Sequence, residues 1–211
     1  MHGRGQYVSD MVTLVARLRP ATLAWVGTSM GGLIGLGLAG AAAFARAMLP
    51  LRPHAGMLPP QDGIRLSRLV LNDVGPRLET SALARIGQYV GEPGAFASFP
   101  EAVAAMRANS ETFGPHTDAQ WDHLARFVYP EQGGQWVKHY DLALAQPMAL
   151  QTGDELAAGE QILWRSYDAV DCPILIVRGE HSDLLTRATV DEMRQRNPRA
   201  RVYEVRGVGH A

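Results

Sequence analysis

The sequence predicts an α/β fold: a mostly parallel sheet with helices on both faces and an inserted helical cap. Three observations point there. Short apolar runs bounded by turn residues recur at 23–26, 68–72, 174–177 and 201–205, and each reads as a buried strand. Segments with apolar residues at helical spacing lie between them, as parallel strands covered by helices require. From about 77 to 163 the texture changes to amphipathic helical pieces without convincing strands.

The elements follow in order. Val8, Met11, Leu14, Val15 and Leu18 recur at helical spacing, with Ser9 or Asp10 available as a cap and Pro20 closing the segment. Leu23-Ala24-Trp25-Val26 is the first strand. A tight turn over Gly27 to Gly32 follows, and then a helix rich in Gly and Ala. That stretch, about 31–48, is broken by Arg46 and reads as a buried helix, not a membrane span. A loop at 49–61 holding four prolines leads to Arg68-Leu69-Val70-Leu71-Asn72, a second strand ending in Asp73-Val74-Gly75-Pro76. Helical pieces at 99–108 and 119–129 belong to the interrupted region. Strands at 174–177 and 201–205 flank a helix at about 187–196. The expected division is an α/β core segment at 1–76, a helical cap at 77–163 and further core at 164–211.

Composition narrows the classes of function. Among 211 residues, 20 basic and 21 acidic side chains give a net charge of −1, and 46% of residues are hydrophobic. That balance describes an ordinary globular chain and argues against a nucleic-acid partner. No membrane partner is expected, and the oligomeric state stays open. The single cysteine, Cys172, sits before Pro173 at the start of an apolar run and is expected to be a buried thiol. No signal peptide is recognisable, so a cytoplasmic location is the default expectation.

The chemistry centres on Gly27-Thr28-Ser29-Met30-Gly31-Gly32. It fits G-x-S-x-G and lies between a buried strand and a helix. A sharp turn there pushes the serine hydroxyl out at the end of the sheet, with a helix N-terminus beneath it. The backbone N–H of Met30 is then the expected oxyanion donor. Two later strands run into titratable groups. The strand at 174–177 leads into Arg178-Gly179-Glu180-His181-Ser182-Asp183, and the strand at 201–205 leads into Arg206-Gly207-Val208-Gly209-His210. Sites in open α/β sheets gather at such carboxyl ends. The expected triad is Ser29 as nucleophile, His210 as base and Asp183 as the acid that orients the imidazole. Asp73, at the end of the second strand, is the alternative acid.

The segments Trp25-Val-Gly-Thr-Ser-Met-Gly-Gly, Leu69-Val-Leu-Asn-Asp-Val-Gly-Pro, Ile176-Val-Arg-Gly-Glu-His-Ser-Asp and Gly207-Val-Gly-His210 resemble the α/β-hydrolase superfamily, in its capped, esterase-like branch. The resemblance covers essentially the whole chain. It implies that Ser29, Asp183 and His210 are catalytic, that a helical cap covers the site, and that no metal or organic cofactor takes part. The sequence departs from the family at both ends. The early strands and the glycine-bearing loop that supplies a second oxyanion donor have no counterpart, and the chain stops one residue after His210. His2-Gly3 only superficially resembles that loop, because no strand precedes it. The chain is therefore expected to be a fragment or an incomplete gene model.

The remaining titratable and aromatic residues take bland roles. His116, His123 and His139 are not spaced as a metal site and read as surface or pocket-lining. Trp121, Phe127, Trp136 and Trp164 read as cap core. The expected function is hydrolysis of a carboxylic ester, thioester or lactone through an acyl-enzyme, on a small-molecule acyl substrate. The alternatives are carbon–carbon hydrolysis of a dioxo-acid, since relatives of that kind have a similar Ser-Met-Gly-Gly turn, or an inactive fragment. Ser29 argues against haloalkane dehalogenases and epoxide hydrolases, which resemble this fold but carry aspartate there. The cap is expected to govern substrate choice more than chemistry.

Overall fold

A computed structural model describes residues 4–48, 64–145 and 152–210. The proline-bearing loop at 49–61, and His2 and Gly3, lie outside the described residues. Helix α1 (Arg4–Leu18) leads through β1 (Leu23–Thr28) into α2 (Met30–Met48), and β2 (Leu66–Asn72) follows. β6 (Ile174–Gly179) and β7 (Arg201–Val205) complete a four-stranded sheet of order β1-β2-β6-β7, with every pairing parallel. Register aligns Trp25 with Leu69 and Ile174, and Gly27 with Leu71 and Ile176. Because side chains alternate along a strand, these rows share one face.

That face is the core. Leu69, Leu71, Ile174 and Ile176 are buried there against Leu36 and Leu38 of α2. Leu163, Trp164 and Tyr167 of α6 (Gly153–Asp168) and Val190 and Met193 of α7 (Arg187–Arg196) join the same cluster. Burial of each such aliphatic side chain contributes about 1.5–3 kcal/mol. By length and composition α2 could cross a membrane, yet it packs on β1 and β2 as a layer of this core. On the opposite face Val26 and Tyr203 are exposed.

The middle of the chain differs from its expected outline in two ways. α6 belongs to the core layer, and α3 (Thr80–Val90) is anchored to it, with Ala82 packed against Val74 and Leu184. The apolar unit that packs by itself is smaller than 77–163. It comprises α4 (Phe99–Asn109), α5 (Asp118–Val128) and a small sheet of order β3-β5-β4, around Val103, Met106, Trp121 and Tyr129. That sheet is made of β3 (Ala95–Phe96), β4 (Glu131–Gln132) and β5 (Gln135–Val137). Strands were not expected in this region. The β4–β5 hairpin closes through Gly133 and Gly134, both with positive φ (61° and 80°), as a two-residue turn requires.

Candidate active site

The turn between β1 and α2 holds Ser29 at φ 50°, a left-handed conformation that costs a non-glycine residue roughly 1–3 kcal/mol. The neighbourhood enforces it. The Ser29 N–H donates to the Asn72 carbonyl (3.0 Å), and the Ser29 carbonyl accepts from the N–H groups of Gly32 (2.9 Å) and Leu33 (3.2 Å). Trp25 Nε1 donates to the Gly31 carbonyl (2.9 Å) and ties the strand to the first turn of α2. The glycines are steric necessities. A β-carbon on Gly27 would enter the backbone of Gly31, and one on Gly32 would enter the Val74 side chain. Met30 opens α2, so its N–H is among those that no intrahelical carbonyl can satisfy.

His210 brings the rest together. Its Nε2 lies 3.1 Å from Ser29 Oγ and its Nδ1 lies 2.8 Å from Asp73 Oδ2. His210 and Asp73 are 6% and 3% exposed, so this pair works away from bulk water. Asp73 sits just past β2 with φ 53°, and its N–H extends the ladder to the Val177 carbonyl (2.8 Å). Both of its oxygens are engaged. Oδ1 accepts the Gly179 N–H (2.8 Å), and Oδ2 also accepts the Ser182 hydroxyl (2.7 Å). An ionised carboxylate only accepts, so His210 Nδ1 carries a proton and Nε2 presents its lone pair to Ser29.

The expected partner of His210 is thereby corrected. Asp183 does not reach the imidazole. Its two oxygens accept Nε and Nη2 of Arg85, both at 2.8 Å, on the partly exposed surface of α3. Arg85 holds the Asp183 carboxyl below the ordinary aspartate range. Along the β6 loop it is Ser182, one residue earlier, that faces Asp73. The Leu185 N–H donates to its hydroxyl oxygen (3.0 Å), which leaves the hydroxyl proton for Asp73. Buried Arg178 fixes this loop from beneath, donating to the carbonyls of Leu185 (2.7 Å) and Glu180 (3.2 Å) and to Glu204 (2.7 Å). Sequence reasoning found neither Ser182 nor Arg178.

The other singled-out residues lie elsewhere. His116 Nδ1 is 3.0 Å from the Gly114 carbonyl and its ring lies on Trp121, while His123 meets the exposed Phe127 edge-on. The His139 N–H donates to the Val128 carbonyl. Among the described residues no group of three or more His, Cys, Asp or Glu converges as a metal site. Trp121 and Trp136 belong to the small α4–α5 unit, whereas Trp164 belongs to the main core. Cys172 is buried, and burial pushes its thiol pKa up.

Known proteins share this architecture. The pattern of the alpha/beta hydrolase family matches residues 2–211. A 3-hydroxybutyrate-oligomer hydrolase from Cupriavidus necator is 47% identical over 210 residues, which is 98% of this chain and 65% of that protein. An alpha/beta hydrolase from Novosphingobium aromaticivorans superposes with a TM-score of 0.78 at 30% identity, over 100% of this chain and 66% of that one. An esterase from Mycobacterium tuberculosis gives 0.64 at 27% identity, over 100% and 62%. The chain thus spans less than two thirds of the length of each of these relatives.

Proposed function

The chain belongs to the alpha/beta hydrolase family, and on that premise we propose that it supplies the nucleophile, base and acid for hydrolysis of a carboxylic ester. One observation carries the reading: the unbroken line Ser29 Oγ, His210 Nε2, His210 Nδ1, Asp73 Oδ2, at 3.1 and 2.8 Å. A free hydroxyl is a poor nucleophile at neutral pH, and an adjacent base remedies that. Ser29 Oγ bonds to the ester carbonyl carbon while its proton passes to His210 Nε2. Asp73 stabilises the imidazolium that results. The Met30 N–H is the donor this chain offers to the developing oxyanion. His210 then hands the proton to the leaving alcohol, giving an acyl-Ser29. Water, deprotonated by the same nitrogen, releases the acid and restores the hydroxyl.

The substrate class we favour is an ester built from hydroxy acids, because the Cupriavidus relative, at 47% identity, carries that class in its name. The test is direct. A fluorophosphonate probe should label Ser29, and the protein should release monomer from 3-hydroxybutyrate dimer and trimer faster than it cleaves a dioxo-acid. Ser29→Ala should abolish labelling and lower turnover by something on the order of a millionfold. Retention of more than about a hundredth of the activity would remove Ser29 as the nucleophile.

A further inference from the structure

We infer that Thr112, in the turn between α4 and α5, is a positioning residue for His210, so that this outer unit reaches into the chemistry as well as covering it. The inference rests on the hydrolase reading of the site.

The contact is reciprocal. The Gly209 N–H donates to the Thr112 carbonyl (2.7 Å), and the Thr112 hydroxyl donates to the His210 carbonyl (2.8 Å). One residue therefore grips the backbone on both sides of the His210 α-carbon. The neighbouring surfaces are shaped to allow it. Gly114 has φ 82°, and a β-carbon there would collide with Val208 Cγ1 at 2.6 Å. On its other side the histidine loop is held by the core: the Val208 carbonyl accepts the His181 N–H (2.8 Å), and the Gly207 N–H donates to Glu180 Oε2 (2.8 Å). The segment bearing His210 is thus clamped between the β6 loop and the α4–α5 turn.

Where Thr112 sits is decided by the small unit's own packing. Its neighbour Phe113 packs against the α4–α5 cluster, stacked on Trp121 with centroids 6.3 Å apart. A shift of that cluster moves Thr112, and Thr112 moves the backbone from which the imidazole reaches both Asp73 and Ser29. Misplacing a reacting group by about 1 Å can lower a rate roughly a hundredfold. The consequence runs against the expectation that the cap governs substrate choice more than chemistry: this part of it acts on turnover.

The experiment compares Thr112→Val, which keeps the shape and loses the hydroxyl, with Thr112→Ser, which keeps the hydroxyl. Substrate-free protein should show a downfield proton resonance from His210 Nδ1–H that Asp73→Asn removes. Thr112→Val should broaden or shift it, and Thr112→Ser should retain it. With a nitrophenyl ester, Thr112→Val should lower kcat roughly tenfold to hundredfold with KM unchanged, and Thr112→Ser should restore most of it. Should Thr112→Val fail to fold by circular dichroism, Thr112→Ala carries the same expectation. An unchanged resonance and an unchanged kcat in the folded variant overturn the role of Thr112 while leaving the hydrolase reading intact. Absence of both Ser29 labelling and the resonance in the unmodified protein overturns the hydrolase reading, and this inference with it.

Discussion

Replacing Asp73 with asparagine exchanges one carboxylate oxygen for an NH2 group, and the surrounding donors dictate which one. The Gly179 N–H is a fixed backbone donor 2.8 Å from Oδ1, so the amide oxygen must stay there. The NH2 then faces His210 Nδ1, where Oδ2 had been 2.8 Å away. Two donors cannot share that contact, so Nδ1 becomes the acceptor and the proton moves to Nε2. That nitrogen, 3.1 Å from Ser29 Oγ, loses the lone pair it needs as a base. The expected loss is about ten-thousandfold in turnover, or about 5.4 kcal/mol at 1.36 kcal/mol per decade. Asp183→Asn instead removes one half of a partly exposed ion pair with Arg85. Its effect on stability should be under about 1 kcal/mol, with turnover nearly preserved. The assay is kcat/KM on a nitrophenyl ester for both variants, with melting curves to confirm folding. A collapse of activity in Asp183→Asn with Asp73→Asn nearly intact would refute the assignment of the acid.

The remaining expectations concern the frame around the site. Gly27→Ala places a β-carbon in the Gly31 backbone, so it should lower stability by roughly 1–3 kcal/mol and slow fluorophosphonate labelling of Ser29, both measurable on one preparation. Tyr167 is fully buried and its hydroxyl donates to the Met193 carbonyl at 3.0 Å. Tyr167→Phe should cost about 1 kcal/mol in urea unfolding. Burial raises the Tyr167 pKa, so the parent should also lose stability as pH rises above the unfolded value of about 10, a loss the variant lacks. Arg85 depresses the Asp183 pKa, so the stability from their pair is present above the unfolded value of about 4 and is lost as pH falls through the folded one. The gap between Arg85→Gln and the parent should therefore be small at pH 7, given the exposure of the pair, and should shrink as pH falls below about 4. A gap that widens on acidification would show that the carboxyl is not held low.

Much of this architecture was legible in the residues. Buried strands with two-residue alternation or a short apolar run give themselves away, and β1, β2, β6 and β7 all begin or end within a few residues of their expected bounds. The turn at Ser29 was legible because only small residues fit where Gly27 and Gly32 sit. The acid was not. Asp73 and Asp183 both follow Ser29 and precede His210 at strand ends, and chain order cannot say which carboxylate points inward. Only the conformation decides: φ 53° at Asp73 turns its side chain in, while Ser182 takes the inward position on the other loop. The boundary drawn between 163 and 164 falls inside α6, because nothing in the residues marks where the helix starts to face the sheet, yet Leu163, Trp164 and Tyr167 all bury themselves in the main core. The β4–β5 hairpin had a signal in Gly133-Gly134, although strands of two and three residues are too short to show alternation. Thr112 had none, since its grip on His210 joins positions 98 residues apart.

The adjacency of β2 and β6 bears on how such an enzyme changes over generations. The ends of these strands are hydrogen-bonded neighbours, with Asn72 opposite Val177 and Ser182 touching Asp73. The anion beside the histidine thus occupies a seat that two separate stretches of chain can fill. A lineage could acquire a second carboxylate at position 182 and then shed the one at 73, passing through an ancestor that carries both. The duplicated ancestor would have to bury two like charges at contact distance, which raises the pKa of one of them and leaves it protonated.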